Sequence, residues 1–194
     1  MFLLKEPADH FIQQFLNSQR EIPFSYPEVG QSRLSAPAGY NIDHNRARLG
    51  KGEETFNRAM HALRRWKMFE MDWIKLCWPD APVEVGSTVG VVAHHLSFWS
   101  LSACRIVYVL NEQQDQISKY GFAYGTLENH VEMGEERFIV EWHQDDDSVW
   151  YDLYAFSWPR HKLAKIGYPI SRMLQKRFAE ASKRAMVKAV NSYP

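Results

Sequence analysis

The 194-residue chain carries 23 Lys and Arg residues against 23 Asp and Glu residues, so its formal net charge at pH 7 is zero. No apolar run approaches the roughly 18 residues that a membrane-spanning helix needs, which excludes a helical integral membrane protein. We therefore predict that the protein is cytoplasmic. A composition that is 45% hydrophobic and 24% charged is ordinary for one globular domain with a substantial core.

The first 39 residues predict a helix followed by a long loop. Apolar residues recur at helical spacing within residues 7–20, and residues 21–39 are rich in Pro, Gly and Ser. A loop of this length inside a compact domain is either functional or lies over the surface, and we favour the second. We therefore predict an N-terminal helix and draped loop over residues 1–39 and a single domain over residues 40–194. The expected anchors of the loop are Phe24 and Tyr26.

The middle of the chain alternates apolar and polar residues with the period of two that is typical of half-buried strands. A weak strand over residues 40–49 comes first, and a helix over residues 53–66 follows it. Connections of hairpin length, such as residues 145–148, predict an antiparallel sheet. The later strands are predicted within residues 69–77, 83–95, 99–110, 120–125, 137–143 and 150–158.

One long amphipathic helix is predicted over residues 159–190, with its main body starting at Pro169. Nine basic residues lie in it against the single acid Glu180, whereas residues 112–152 carry eleven acids against two bases. We expect the helix and the acidic strands to be neighbours that neutralise each other. The basic residues are Arg160, Lys162, Lys165, Arg172, Lys176, Arg177, Lys183, Arg184 and Lys188. The apolar stripe is Leu163, Ile166, Ile170, Leu174, Phe178, Ala181, Ala185 and Ala189.

Two phrases of the sequence carry a resemblance to a known family. One runs from Tyr26-Pro-Glu-Val-Gly30 through Gly39-Tyr40 to Leu49-Gly50-x-Gly52, and the other combines Gly121-Phe-Ala-Tyr-Gly-Thr-Leu127 with His130, Gly134-Glu-Glu136 and Phe138. In these phrases the chain resembles a bacterial and plant domain family of unknown function. The order strand, helix, antiparallel meander and long helix also resembles the START-like, or helix-grip, fold of lipid-transfer domains, birch-pollen allergens and polyketide cyclases. The resemblance implies an α+β fold in which a curved antiparallel sheet of six or seven strands grips the C-terminal helix.

The residues themselves favour a binding protein over an enzyme. The sequence has no nucleophile elbow, no dinucleotide fingerprint and no zinc motif, so we predict neither a metal nor a cofactor. We expect a cavity between the sheet and the helix that binds a small apolar or amphipathic molecule. The aromatic residues expected to line it are Tyr124, Phe138, Trp142, Tyr154 and Phe156.

Polar residues in the inward phases of the strands are expected to form the polar end of this cavity. His95 has the phase of the apolar residues in its strand, Thr126 follows Tyr124 on one face, and Asp152 shares a phase with four aromatic residues. These groups either orient a ligand or hydrogen-bond one another within the core, and both interpretations stay open. If Asp152 and Arg105 are buried, each needs a partner, either the other or a polar ligand.

Two other functions stay open at this point. The first is an interaction protein that uses the basic C-terminal helix on an anionic partner, either a membrane surface or, less favoured, a nucleic acid. The second is a cyclase-like or hydratase-like enzyme that uses the cavity between the sheet and the helix. His130, Glu132, Glu135 and Glu136 fall in one predicted turn, where they form either a small metal or acid/base cluster or, as we favour, solvated surface groups. Two buried, reduced thiols are expected at Cys77 and Cys104.

Overall fold

The computed structural model describes residues 1–35, 37–78, 80–95, 97–130, 132–159 and 168–192. Two 3₁₀ turns, Gln31–Arg33 and Lys67–Phe69, join longer elements. These elements are β1 (Phe2–Leu3), α1 (Asp9–Ser18), β2 (Asn41–Lys51), α2 (Gly52–Arg64), β3 (Ile74–Cys77), β4 (Thr88–His95), β5 (Phe98–Gln114), β6 (Ile117–Thr126), β7 (Glu132–His143), β8 (Ser148–Pro159) and α3 (Tyr168–Asn191).

A single antiparallel sheet has the strand order β2-β8-β7-β6-β5-β4-β3, with the two-residue β1 paired to β5. Strands β3 to β8 form a meander, and β2 returns to its far edge beside β8. The long helix α3 packs across one face of this curled sheet together with α2. The structure therefore confirms the predicted helix-grip fold, with seven strands in the main order. No helix that the structure describes is both long and apolar enough to cross a membrane.

The two faces of the sheet carry separate apolar clusters. The face toward α2 and α3, called the inward face below, includes Val89 of β4 and Cys104 of β5. The opposite, outward face includes Val92 of β4 and Cys77 of β3, which pack with α1. Alternation of side chains along each strand produces this division. Both cysteines are buried and reduced, as predicted, and they lie on opposite faces.

The segment before β3 differs from the sequence prediction. A strand is predicted from Phe69, but α2 ends at Arg64, Trp66 adopts a left-handed conformation with φ of 54°, and a 3₁₀ turn follows. This turn points Met68 and Phe69 into the core, where both are buried, and β3 begins only at Ile74. Burial of two large side chains beneath α3 therefore overrides the local period of two.

The C-terminal helix begins close to its predicted start. Pro169 lies in the first turn of α3, where a missing backbone N–H costs nothing. The predicted lead-in over residues 160–167 lies outside the described residues, together with its members Arg160, Lys162, Leu163, Lys165, Ile166 and Gly167.

Charge neutralisation between the helix and the sheet is only partly as expected. Arg172 of α3 does pair with Asp43 of β2. Glu141 of β7, by contrast, is neutralised within the sheet, by Arg46 at 2.7 Å and Lys119 at 2.8 Å. Neighbouring strands thus supply part of the positive charge that the sequence pattern assigned to the helix.

The N-terminal loop is anchored by both residues expected to anchor it. Phe24 forms an isolated β-bridge with Leu127, and Tyr26 is buried against the outward face. The Ser25 N–H donates to the Thr126 carbonyl at 2.9 Å, so the loop adds backbone hydrogen bonds at the end of β6.

Candidate functional site

Strand β8 presents two apolar faces, and the structure determines which of them meets α3. The inward side chains include Tyr151, whose hydroxyl hydrogen-bonds the Ser182 hydroxyl of α3 at 2.8 Å, and Leu153. Asp152, Tyr154 and Phe156 alternate with them and therefore point outward. These three residues do not line the space between the sheet and the helix, contrary to the prediction.

Asp152 is the centre of a charged group on the outward face. It is only 4% exposed, and its carboxylate is held by Arg137 at 2.9 Å, Arg46 at 3.3 Å and His44 at 2.6 Å. Arg105 is not among its partners; it donates instead to carbonyl oxygens at the end of α1 and to Thr88. Each charge is thus satisfied, but not by the other.

Two of the outward aromatic residues of β8, Tyr154 and Phe156, contact other parts of the chain. The ring of Phe156 makes edge contacts with Tyr26 and Tyr40, with centroid distances of 5.6 and 5.1 Å. The guanidinium of Arg137 lies 4.9 Å above the Tyr154 ring. The N-terminal loop and Tyr40 therefore cover Phe156, and a neighbouring strand covers Tyr154.

The other three predicted lining residues do lie on the inward face. The buried ring of Phe138 contacts Phe69, whose ring also contacts Phe178 of α3 at a centroid distance of 5.4 Å. Trp142 packs on Phe56 of α2, and its indole N–H donates to Asp147. The 3₁₀ turn that carries Phe69 therefore packs between β7 and α3.

His95 has the predicted inward phase but lies far from the other polar candidates. It pairs with Phe98 of β5, whereas Tyr124 pairs with Ile106 of the same strand. Eight residues of β5 separate these two positions, about 26 Å at 3.3 Å per residue. His95 Nε2 bonds the Ser100 hydroxyl at 3.0 Å, and burial lowers the His95 pKa, with further lowering from His94 and Arg177.

Thr126 is used by the backbone at the end of its hairpin. Its hydroxyl accepts a hydrogen bond from the Gly134 N–H at 3.0 Å and lies 2.6 Å from the Ser25 hydroxyl. The structure therefore brings Thr126 together with the N-terminal loop, not with His95 or Asp152.

The inward face does contain one polar pair that the structure brings together. The Tyr124 hydroxyl donates to Glu136 Oε2 at 2.7 Å, an arrangement called the Tyr124–Glu136 pair below. Burial raises the pKa of the Glu136 carboxyl to about 7; the hydrogen bond from Tyr124 lowers it, and the nearby carboxylates of Asp43 and Glu132 raise it. Burial also raises the pKa of the Tyr124 phenol. A carboxyl of this kind exchanges its proton near neutral pH.

The first turns of α3 frame this pair with further polar contacts. Arg172 binds Asp43 through both terminal nitrogens, one of them at 2.6 Å. Gln175 donates to Glu132 at 2.8 Å and to the Ser157 hydroxyl at 3.0 Å, and Ser171 also bonds Glu132. The N-terminal half of α3 is thus attached to three strands by polar side chains.

A cleft opens where this half of α3 passes the edge strand β2. Its volume is about 470 Å³. Asp43 lines this cleft and also acts electrostatically on Glu136, from which it is separated by Ala155 of β8 in the sheet register. Tyr124 and Glu136 themselves do not line the cleft. The lining residues are Ile42, Asp43, His44, Asn45, Lys176 and Glu180.

His130, Glu132, Glu135 and Glu136 are not the solvated turn residues that we favoured, because none of them is exposed and the three glutamates belong to β7. Side-chain alternation along β7 also separates them. Glu135 faces outward beneath the N-terminal loop, whereas Glu132 and Glu136 face inward. His130 Nδ1 accepts the Glu132 N–H at 3.1 Å, and burial lowers the His130 pKa. Among the described residues no group of three or more His, Cys, Asp or Glu side chains has the geometry of a metal site.

Comparison with known proteins assigns the chain to a family. The model of a domain of unknown function, DUF1990, matches residues 25–185. The chain belongs to the DUF1990 family. A UPF0548 protein of Dictyostelium discoideum is 37% identical over 209 residues, covering 99% of this chain and 97% of that protein. A UPF0548 protein of Deinococcus radiodurans is 33% identical over 201 residues, covering 97% of this chain and 98% of that protein.

Solved structures that align with this DUF1990 chain share little sequence with it. A hypothetical protein of Helicobacter pylori, jhp0584, aligns with a TM-score of 0.53 and 12% identity, covering 87% of this chain and 96% of that chain. Human STARD10 aligns with a TM-score of 0.47 and 12% identity, covering 96% of this chain and 82% of that chain. The first of these likenesses supports the helix-grip fold and nothing more specific.

Sequence reasoning placed Glu136 of this DUF1990 chain in a turn and missed its pairing with Tyr124. A usable signal was present, since Glu136 is two residues before Phe138 and shares its phase. Extending the strand toward its start would have placed the carboxylate on the inward face.

Proposed function

We propose that this protein binds a small amphipathic molecule between the sheet and α3, with the Tyr124–Glu136 pair at its polar end. The observation that carries the proposal is a phenol and a carboxylate hydrogen-bonded at 2.7 Å on the face that α3 covers. Within the part of the chain that the structure describes, the second oxygen of Glu136 has no hydrogen-bond partner. It is therefore available to a hydroxyl or amine of a ligand.

The cleft between β2 and α3 supports the same proposal. Its volume of about 470 Å³ exceeds the roughly 300 Å³ at the low end of ligand pockets. Its lining combines the apolar Ile42 with charged groups such as Lys176 and Glu180, which suits a ligand with both apolar and polar parts. The helix-grip fold, which resembles that of lipid-transfer domains, agrees with this ligand class.

Phe138 and Trp142 keep a supporting role in this proposal. Phe138 packs directly against the Tyr124 ring, at a centroid distance of 5.3 Å, and so fixes the orientation of the phenol. Trp142 lies further along β7 near α2, where it packs on Phe56.

One observation favours a second candidate, an enzyme that transfers protons in the same site. A carboxyl with a pKa of about 7 is well matched to general acid or base catalysis at neutral pH. When Glu136 is protonated and donates to the Tyr124 oxygen, the Tyr124 hydroxyl proton becomes available to an oxygen on which negative charge develops. This arrangement suits the cyclase or hydratase chemistry of other helix-grip proteins.

The described cations of α3 give less support to the alternative of an anionic macromolecular partner, because three of them already contact other side chains of the protein. Arg172 pairs with Asp43, Lys183 pairs with Glu180, and Arg177 lies over the Trp73 ring. Phosphate binding by a macromolecular interface depends on a contiguous set of free cations.

Native mass spectrometry of the protein purified under mild conditions tests the proposal, since a retained ligand adds mass that denaturation releases. If a ligand is present, Tyr124→Phe and Glu136→Gln should each lower the occupied fraction severalfold. Tyr154→Phe is the matched control, because it removes the same hydroxyl from the outward face and should leave occupancy unchanged. Equal retention in all three variants, or an equal loss in the control, would remove the Tyr124–Glu136 pair from the site.

A further inference from the structure

A second cleft lies at the opposite end of α3, where its last turns meet the end of α2. It has a volume of about 310 Å³. Three segments contribute to it: α2 with the residue that follows it, the 3₁₀ turn with the residue that follows it, and α3 with the residue that follows it. This α2–α3 cleft is lined by His61, Ala62, Arg65, Lys67, Glu70, Lys188, Ala189 and Ser192.

We propose that the α2–α3 cleft is a binding site for the phosphate group of a small molecule. The chemistry that recognises such a group is a set of cations and hydrogen-bond donors converging on one small volume. The site is separate from the Tyr124–Glu136 pair, so the two proposals stand independently.

The charges around the α2–α3 cleft carry this inference. Arg65, Lys67 and Lys188 face one carboxylate, Glu70, which gives a formal excess of two positive charges. Glu70 is engaged by Lys67. Neither Arg65 nor Lys188 has a side-chain partner among the described residues. A phosphate monoester carries a charge of about −1.5 to −2 at pH 7, which matches this excess.

Helix stability alone does not require this convergence. A cation near the C-terminal end of a helix is favourable beside the free carbonyl groups, which accounts for Arg65 and Lys188 taken one at a time. It does not account for two such cations, from the ends of two different helices, lining one cleft beside the Lys67–Glu70 ion pair. Two positive charges brought close together also repel each other, so an anion between them stabilises the arrangement.

The shape of the cleft favours a phosphate that is attached to a small organic group. Ala62 and Ala189 are among its lining residues, and both are small enough to leave space that a larger side chain would fill. The lining is thus partly apolar, with the cations around it and the His61 imidazole as an additional hydrogen-bonding group. A volume of about 310 Å³ is at the lower limit for ligand pockets, so the organic part must be small.

Isothermal titration of the full chain with inorganic phosphate and with phenyl phosphate, at low and at near-physiological salt, tests the inference. We expect saturable, one-to-one binding of phenyl phosphate that weakens with salt, because an ionic contact is screened. Binding of phenyl phosphate alone identifies an organic ester as the ligand class, and comparable binding of both probes identifies the phosphate group itself. Absence of saturable binding of both probes at millimolar concentration overturns the proposal.

Variants separate this site from general attraction to a basic surface. Arg65→Gln and Lys188→Gln should each weaken phenyl phosphate binding about tenfold, the effect of losing one charge-assisted hydrogen bond. Arg184→Gln is the matched control, since Arg184 is exposed on the same helix but does not line the cleft. Equal weakening in all three variants, or in none, contradicts the proposal. Circular dichroism of each variant verifies that it is folded.

Discussion

The hydroxyl of Tyr26 donates a 2.7 Å hydrogen bond to the carboxylate of Glu135, 109 residues further along the chain. The same carboxylate accepts the Gly30 N–H at 2.7 Å and the Ser32 N–H at 3.1 Å, and the Ser32 hydroxyl also bonds it. The two sequence phrases that carry the family resemblance therefore meet at one buried acid. Glu135 is the point at which the outward face of the sheet holds the N-terminal loop.

Replacing Glu135 should release this loop. Glu135→Ala leaves the Tyr26 hydroxyl and two loop N–H groups without their acceptor, and we expect a loss of roughly 3 kcal/mol in the free energy of unfolding. Urea denaturation measures the loss, and limited proteolysis should show faster cleavage within residues 27–40. Glu112→Ala is the control, because Glu112 makes an exposed ion pair with Arg33 of the same loop, worth at most about 1 kcal/mol. A smaller effect for Glu135 than for Glu112 would contradict the assigned role.

The glycines of the second phrase are required by close approach, and this can be tested at Gly125. A Cβ atom there would lie 2.1 Å from the Tyr26 hydroxyl oxygen, and the Tyr26 side chain cannot move away without losing its bond to Glu135. We expect Gly125→Ala to destabilise the protein by about 2 kcal/mol or more, but by much less when Tyr26 is already Ala. Urea denaturation of the single and double variants measures this coupling.

Gly121→Ala provides the contrast for that cycle. A Cβ atom at Gly121 would lie 2.1 Å from the Phe138 carbonyl oxygen, which belongs to the backbone of the neighbouring strand. Tyr26→Ala should therefore give no relief at this position. If Tyr26→Ala reduces the destabilisation by Gly121→Ala as much as that by Gly125→Ala, the close contact with Tyr26 does not explain why position 125 requires glycine.

The sequence predicted the architecture well because alternation is a strong signal where one face of a strand is buried. On β7 it placed Phe138, Val140 and Trp142 on one face, and all three lie inward. On β8 both phases are apolar, and periodicity cannot distinguish a face covered by α3 from one covered by the N-terminal loop. Phe156 was therefore assigned to the wrong face of the sheet.

The sequence also could not predict how far apart two residues on the same face of the sheet lie along their strands. Phase alone showed that His95 and Tyr124 face the same side, but strand register decides whether two such residues meet. That register follows from turns and bulges, among them the irregularity between Ile106 and Tyr108 in β5. Asp152 shows the same limit: its need for a cation was predictable, but Arg137 as the partner was not.

Both cysteines should be unreactive in the folded protein. Burial raises the pKa of the Cys77 thiol to about 11, and burial together with Glu136 raises that of Cys104. Thiol reagents attack the thiolate, so we expect little labelling at pH 8 in buffer and labelling of two thiols per chain in urea. Mass spectrometry counts the modified sites. Rapid labelling of native Cys104 would show that the inward face is more open than described.

The raised pKa of Glu136 predicts a pH dependence of stability with a definite sign. The pKa is about 7 in the folded protein against an ordinary value of 4.5, so between these values the folded state binds the proton more tightly. The contribution of this proton to the free energy of unfolding is fully present below the pKa of Glu136 in the unfolded chain and is lost as pH rises through 7. A shift of this size corresponds to roughly 3 kcal/mol, which we reduce to about 2 kcal/mol because the side chain is only partly buried.

The Glu136→Gln variant isolates this effect, because Gln keeps the shape of the protonated carboxyl and does not titrate. We expect the variant and the unmodified protein to have similar free energies of unfolding at pH 5, and the variant to be more stable by about 2 kcal/mol at pH 8.5. Urea denaturation at both pH values measures the difference, and Glu112→Gln, which changes an exposed carboxylate, should show no comparable pH-dependent gain. If the gain from Glu136→Gln is the same at both pH values, Glu136 does not titrate near neutrality, and its role as a proton donor or acceptor in the site fails with it.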